Sequence, residues 1–427
     1  MWDYYNDKTI FITGGTGFLG TSIVYRLLTQ TSENIIDSTS RKLRSKWTES
    51  LSSATVEKLL STNRITAMNG DILLPDLGLS RTELSTLRQE VNIIIHSASS
   101  INIVKPLSGI SEVITGASER LADMALTYPS LDRFVHVSTA YCNTYLHPIS
   151  EDIEVKFKEE IYDPNHDPNV MKEWAQVQHS GSSDAYKAHD FPWSYGYAKN
   201  LTERLLLHKF TQSGVKDKLL ILRPSIIGPA QKFPRPGYNV LLSSPMTRIA
   251  AIIALNHAGT AVTATKAPGE SSRIYCDEVP VDVVADRLLA HLGVGSNGCV
   301  HAVSGKRARF QFGKWWESAA SLRRLPGKFD LDWQDIDWKS NEQHPLARFY
   351  VVFGTAFEFC EDKTVDLSRH PSVASRTELQ LFTKDNFGEL RSRPEDVYSM
   401  MKHISRNNDG ARQILELYYQ DGMKAKL

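Results

Sequence analysis

The chain has 427 residues, 41% apolar and 23% charged, an ordinary globular composition that excludes wholesale disorder and fibrous architecture and leaves room for two coupled units. Lys plus Arg and Asp plus Glu both number 49, giving zero formal charge, so the basic excess of a nucleic-acid surface is missing. The four cysteines, Cys142, Cys276, Cys299 and Cys360, are widely spaced; they suit neither a disulfide framework nor a zinc site and point to a reducing, cytoplasmic interior.

The amino end, Met1-Trp-Asp-Tyr-Tyr-Asn-Asp7, carries neither the basic nor the apolar region of a signal peptide. Lys8 to Thr13 is an apolar run that breaks into the turn Gly14-Gly-Thr-Gly-Phe-Leu-Gly20, after which Leu19, Ile23, Leu27 and Leu28 repeat at helical spacing. Strand, glycine turn and helix open a parallel α/β sheet. The second strand is expected near Asn34 to Ser40, where Asp37-Ser-Thr-Ser40 makes a poor buried strand. Val91 to Ile95 ends at His96-Ser-Ala98, Phe134 to Val137 at Ser138-Thr-Ala140, and Leu219 to Leu222 at Arg223-Pro-Ser225. Continuous apolar runs of this kind belong to strands covered on both faces. Helical stretches lie between them, over Gly116 to Tyr128 and Ala198 to Phe210. Alternation of strand and helix predicts an α/β, Rossmann-type doubly wound parallel sheet.

Glu151 to Pro192 reads as a long polar insertion, with loop signals at Asp163-Pro-Asn-His-Asp-Pro168; insertions of this length are usually functional. Beyond Pro229 the pattern changes. Ile249 to Leu255 is apolar but is cut off by Asn256 and His257, too short for a membrane span. Sheet-like pattern returns at Val279 to Val284 and Cys299 to Val303. The tail holds Trp315, Trp316, Trp333 and Trp338, which read as core of a smaller, mainly helical C-terminal substrate domain. The expected division is 1–240 for the cofactor-binding domain, with 275–305 returning to it, and 241–274 plus 306–427 for the substrate-binding region.

Gly14, Gly17 and Gly20 stand between a strand and a helix, where glycines let backbone N–H groups reach a pyrophosphate at the positive helix end. Many tight turns carry two or three glycines, so the pattern alone is weak; its place directly after the first strand favours a dinucleotide. Tyr195 and Lys199 sit at i and i+4, on one helix face. A tyrosine titrating near pH 10 is a poor neutral-pH proton donor unless a cation lowers its pKa, which Lys199 is placed to do. A hydroxyl of Ser138 or Thr139 at a strand end can hydrogen-bond a carbonyl oxygen as it gains negative charge. His96 reads as structural or cofactor-adjacent, and Asp282 and Asp286, at i and i+4, as capping or solvated residues; no metal site is expected.

Phe11-Ile-Thr-Gly-Gly-Thr-Gly-Phe-Leu-Gly20, His96-Ser-Ala-Ser99, Val135-His-Val-Ser-Thr-Ala-Tyr-Cys-Asn143, Tyr195-x-x-x-Lys199 and Leu222-Arg-Pro-Ser-Ile-Ile-Gly-Pro229 resemble the extended short-chain dehydrogenases over about residues 8 to 305. More narrowly, they resemble the fatty acyl-CoA reductase branch and the related thioester reductase domains. The resemblance implies that Thr139, Tyr195 and Lys199 are catalytic. It implies that Gly14, Thr16, Gly17, Phe18, Leu19 and Gly20 bind NADPH, with Asp71 and Ile72 bordering the adenine. Ser97 and Ala98 would line the cofactor channel, Pro224, Ser225 and Ile226 would approach the nicotinamide, and Tyr195 and Lys199 would also touch the cofactor. In that family a second strand ends in an arginine for the 2′-phosphate; here Arg41, Lys42 or Arg44 would serve, with Asp37 the competing signal for a free ribose. Asp71 also reads as a plain strand-end turn residue, Pro224 as a strand terminator, and Pro234-Arg-Pro-Gly-Tyr238 as either a substrate-bordering loop or an ordinary turn. The expected reaction is NADPH-dependent reduction of an acyl thioester, on coenzyme A or an acyl carrier protein, to aldehyde and on to primary alcohol. The alternatives are a dehydrogenase of a free ketone, alcohol or nucleotide sugar, and a non-catalytic NADP sensor.

Overall fold

The apolar runs become strands of one sheet because both of its faces are covered. The computed structural model describes residues 1–31, 34–37, 43–147, 154–164, 169–266, 273–347, 355–388 and 393–420. Seven strands, β1 (Thr9–Thr13), β2 (Asn34–Asp37), β3 (Ile65–Ala67), β4 (Val91–His96), β5 (Arg133–Val137), β6 (Leu219–Pro224) and β7 (Gly298–Ala302), form a sheet in the order β7-β6-β5-β4-β1-β2-β3. Every pairing is parallel. Alternate side chains divide between two layers, as the two-residue period of a strand requires. Ile10, Ile12, Ile93, Ile95, Val135, Leu220 and Leu222 pack with residues of the Phe18–Gln30 and Val281–Gly293 helices. Phe11, Ile94, Phe134 and Ile221 face the other way, against Leu121 and Ala122 on one helix and Leu206 and Phe210 on another.

The weak second strand forms over Asn34–Asp37, and 38–40 lie outside the described residues. Ile35 enters one layer and Ile36 the other, at 1% and 2% exposure. Burying each contributes about 1.5–3 kcal/mol, enough to hold four residues between β1 and β3. Arg41 and Lys42 lie outside the described residues.

The described part of the insertion is only partly loop: Asp163 and Pro164 lie in irregular chain, 165–168 are outside the described residues, and regular elements flank them. Glu154–Phe157 pairs in parallel with Ala356–Phe359, and the Val170–Ser180 helix sets Val170, Trp174 and Val177 against Tyr197, Leu201 and Leu205. The Val279 to Val284 stretch is also corrected: Glu278–Pro280 is a strand paired with Ile226–Gly228, and the Val281–Gly293 helix starts directly after it. A proline at the N-cap needs no donor there, which makes that switch inexpensive.

Towards the C-terminus the structure is mainly helical, with Phe312–Ser321, Asp362–Arg369, Pro394–Ser405 and Asp409–Gln420; its strands are Phe329–Gln334, parallel to Gly259–Ala264, the Ala356–Phe359 strand already described, and the short Phe310–Gln311 against Tyr275–Cys276. Trp315, Trp316 and Trp333 are buried there with Ile249, Ile253, Met400 and Met401. Among the described residues no helix is long and apolar enough to cross a membrane.

Candidate active site

β1 delivers the chain into the glycine turn, and the turn's geometry requires its glycines. Gly14 has φ +79°, and a Cβ there would meet Ala98 N at 2.9 Å and Ser97 Oγ at 3.1 Å. A Cβ on Gly20 would fall 2.0 Å from Gly14 O and 2.8 Å from Gly15 Cα. The turn closes through Gly17 N to Gly14 O (2.9 Å) and is propped by the Thr21 hydroxyl, which donates to Gly15 O (3.2 Å). No side chain caps the first helical turn, whose N-cap is Gly17. Exposed Gly17 and half-buried Thr16 therefore stand before uncapped N–H groups at the positive end of a helix. This cradle fits the pyrophosphate of a dinucleotide. Phe18 and Leu19 are buried and anchor the helix in the core.

β4 ends beside this turn. The Ser97 hydroxyl donates to Thr13 O (2.8 Å), and Ala98 N donates to Thr13 Oγ1 (3.3 Å). Thr13 Oγ1 lies 2.7 Å from His96 Nδ1, and His96 Nε2 lies 3.1 Å from Ser118 Oγ. With Ala98 N supplying Thr13, the threonine hydroxyl donates to Nδ1 and Nε2–H donates to Ser118. Burial holds the His96 pKa down at about 3. His96 is thus a neutral strut between β1 and the Ala117–Ala125 helix, and no group of His, Cys, Asp and Glu among the described residues could hold a metal.

β5 ends at the hydroxyls. Thr139 caps the following helical turn by accepting from Tyr141 N (3.3 Å), and its side chain lies near enough to the Tyr195 hydroxyl to draw that group's pKa down. The Ser194–Gln212 helix brings half-buried Tyr195 to this strand end and sends Lys199, one turn on, into the interior. Lys199 Nζ donates to Val137 O (2.9 Å). Burial lowers its pKa to about 8, with Glu203 and Cys142 acting upwards. Burial pushes Tyr195 well above its ordinary value, opposed by Thr139 and reinforced by Cys142. The lowering expected from Lys199 is not found: its ammonium is directed at the strand carbonyl, and it is not among the groups that shift Tyr195. Ser138, also buried, has a hydroxyl without a partner among the described residues.

The structure therefore joins Gly14 to Gly20 with Ser97 and Ala98, and Thr139 with Tyr195 and Lys199, all at the carboxyl edge of the sheet. Pro224 ends β6 at that edge. The Ser225 hydroxyl donates to Asp277 Oδ1 (2.5 Å), and Ile226 N donates to Asp277 O (3.2 Å). Asp71 and Ile72 follow β3; Asp71 is exposed and accepts from Leu73 N (2.9 Å), and Ile72 packs with the Phe11 layer. Of the cations considered for a 2′-phosphate, Arg41 and Lys42 are outside the described residues, and exposed Arg44 is ion-paired with Glu57. Asp282 and Asp286 are fully buried rather than solvated: Asp282 accepts from the backbone N–H groups of Gln231, Lys232 and Phe233, and Asp286 pairs with Arg26. Residues missed from sequence include Glu203 and Arg223, a buried ion pair directly behind Lys199. The signal was there: Glu203 continues the spacing of Tyr195 and Lys199.

A parallel sheet in this order, a glycine turn after β1 and a Tyr-x-x-x-Lys helix meeting the end of β5 define an extended short-chain dehydrogenase. The family model for the male sterility protein, an NAD-binding domain, matches residues 12–288, and the chain belongs to that family. Among curated relatives, a putative fatty acyl-CoA reductase of Drosophila melanogaster is 26% identical over 312 residues, covering 67% of this chain and 55% of the relative. Fatty acyl-CoA reductase 1 of Mus musculus is 29% identical over 306 residues, with the same two coverages. The chain thus spans about half the length of these relatives. Among solved structures, the terminal R domain from the myxalamid PKS-NRPS biosynthetic pathway superposes with TM-score 0.62 at 18% identity, covering 94% of this chain and 92% of that one. The reductase domain of a nonribosomal peptide synthetase from Mycobacterium tuberculosis gives 0.60 at 16% identity, covering 93% and 92%. These likenesses establish the shared fold.

Proposed function

We propose that the chain is an NADPH-dependent reductase of acyl thioesters. The observation that carries the reading is the hydroxyl pair of Tyr195 and Thr139 at the end of β5, with Lys199 buried one helical turn behind it. The names of the curated relatives support the thioester as substrate. When bound, NADPH supplies the hydride. The chain's own residues do the rest. Tyr195 and Thr139 hydrogen-bond the thioester carbonyl oxygen and stabilise the negative charge it gains. Tyr195, the general acid, protonates that oxygen. Collapse of the hemithioacetal releases thiol and aldehyde, and the same two hydroxyls serve a second reduction to primary alcohol. Gly14 to Gly20 cradle the pyrophosphate, Ser97 and Ala98 line the cofactor channel, Pro224 to Ile226 approach the nicotinamide, Asp71 and Ile72 border the adenine, and Arg41 meets the 2′-phosphate.

Residues 241–274 and those from 306 onward form the substrate-binding region, and the acyl carrier is coenzyme A or a carrier protein. The test is NADPH oxidation measured with an acyl-CoA, with a free ketone and with neither. Oxidation that requires the acyl-CoA supports the reading; oxidation with the ketone alone assigns the same residues to a different substrate class.

A further inference from the structure

We propose that Glu203 is a positioning residue: locked in place by Arg223, it is the buried anion that keeps Lys199 charged. Tyr195, Lys199 and Glu203 follow one another at i, i+4 and i+8 on the Ser194–Gln212 helix, so their side chains lie along one face. Glu203 and Arg223 are both at 0% exposure. Arg223 Nε donates to Glu203 Oε1 (2.9 Å), Nη2 donates to Oε2, and Nη1 donates to Glu160 O (2.8 Å). Cys142 Sγ lies 3.5 Å from Oε1 as a further donor. These bonds fix the carboxylate without any from Lys199. Arginine stays protonated at any pH a protein meets, so Glu203 is held in a charge-assisted, two-bonded ion pair.

Lys199 is the group that needs such an anion. It is 2% exposed, and a buried ammonium without a counter-charge gives up its proton. The other groups facing it contribute no negative charge near neutral pH. The Cys142 thiol is pushed well above its ordinary value by burial, and Tyr195 on its own helix is pushed up as well. His96 on β4 and His136 on β5 feel the lysine and are held neutral, chiefly by burial. Arg223 on β6, paired with Glu203, is not among the groups that act on Lys199. Among the described residues that act on Lys199, Glu203 is the one carboxylate. Within this net-neutral pair it is the Glu203 carboxylate that acts on Lys199, in the turn behind the tyrosine, and this rests on the proposed function only in that Lys199 works as a cation.

The experiment reads Lys199 itself, so that it stands whether or not thioesters are the substrate. Lysine ε-carbon NMR, with the Lys199 resonance assigned through Lys199→Arg, gives its titration midpoint in the parent, in Glu203→Gln and in Glu203→Gln/Arg223→Met. The double variant removes the orphaned buried guanidinium that could keep the single variant from folding, since a buried pair is replaced by apolar groups more readily than it is broken. Expected is a midpoint lower by about one unit or more in Glu203→Gln, a tenfold shift in the protonated-to-neutral ratio, and a smaller drop in the double variant. The alkaline limb of kcat/KM should move down in parallel. An unchanged midpoint in the folded double variant would overturn the inference, and so would a rise in either variant.

Discussion

Replacing Gly20 by alanine tests the cofactor cradle most sharply, because the obstacle is the turn itself. The new Cβ would sit 2.0 Å from Gly14 O, 2.7 Å from Gly14 C and 2.8 Å from Gly15 Cα, all backbone atoms. Restoring van der Waals contact opens the turn by roughly 1 Å, and overpacking of this kind costs about 1–3 kcal/mol. The same movement pulls the uncapped N–H groups off the pyrophosphate. Each charge-assisted bond contributes about 1.5–3 kcal/mol, so losing one weakens NADPH binding roughly tenfold or more. Gly214→Ala is the matched control. Gly214 has φ +71° with nothing within 4 Å of its Cβ position, so alanine pays only the left-handed backbone cost of about 1–2 kcal/mol, far from the turn. Thermal melts should show similar losses for the two variants, while an NADPH fluorescence titration should show weakened binding only in Gly20→Ala. Native NADPH affinity in a folded Gly20→Ala protein would refute the cradle.

Tyr195→Phe should lower kcat by on the order of a hundred- to ten-thousand-fold with little change in NADPH affinity, and Lys199→Ala should lose both; near-native turnover in Tyr195→Phe removes it as the acid. Stability should fall steeply on the acid side. His96, His147, His291 and His301 are held at about 3 by burial against an ordinary 6.5, so they favour the fold fully above 6.5 and withdraw that support as pH drops, each by about 1 kcal/mol between pH 7 and 5.5. Asp277 and Asp286, raised by burial to about 6 from 3.8, act in the opposite sense and return somewhat less than about 1 kcal/mol each over that interval. The histidines win by a few kcal/mol, and melts that stay flat from pH 7 to 5.5 would contradict their buried, neutral state. For the cofactor, the parent should bind NADPH at least about tenfold more tightly than NADH, and Arg41→Ala should narrow the gap by loss of one charge-assisted contact; equal affinities in the parent would sink the preference.

The central strands were legible because burial on both faces leaves unbroken apolar runs, as in Ile93 to Ile95 and Leu219 to Leu222. The glycine turn and the Tyr195 to Lys199 spacing were legible because local backbone geometry and one helical turn determine them. The insertion was not. Val170, Trp174 and Val177 form an apolar stripe whose partners, Leu201 and Leu205, lie on the distant Ser194–Gln212 helix, so the polar residues around the stripe mask it in the sequence. Asp282 and Asp286 looked solvated because their partners, the backbone of Gln231 to Phe233 and Arg26, come from distant segments. The Glu203–Arg223 pair has the same origin: the helix spacing shows where the carboxylate points, and only the sheet shows which strand brings the arginine. The Lys199 ammonium was expected beside the tyrosine, and the carbonyl of Val137 takes it instead.

The central claim is the chemistry at Tyr195 and Thr139, and its most direct measurement is the ratio of NADPH consumed to thiol released from an acyl-CoA, with the carbon product identified by mass. The account predicts thiol release that depends on NADPH, a ratio near two, and the primary alcohol as product. A ratio near one with trapped aldehyde would limit the chain to a single reduction. No thiol release from either a coenzyme A ester or a carrier-protein thioester would contradict the account.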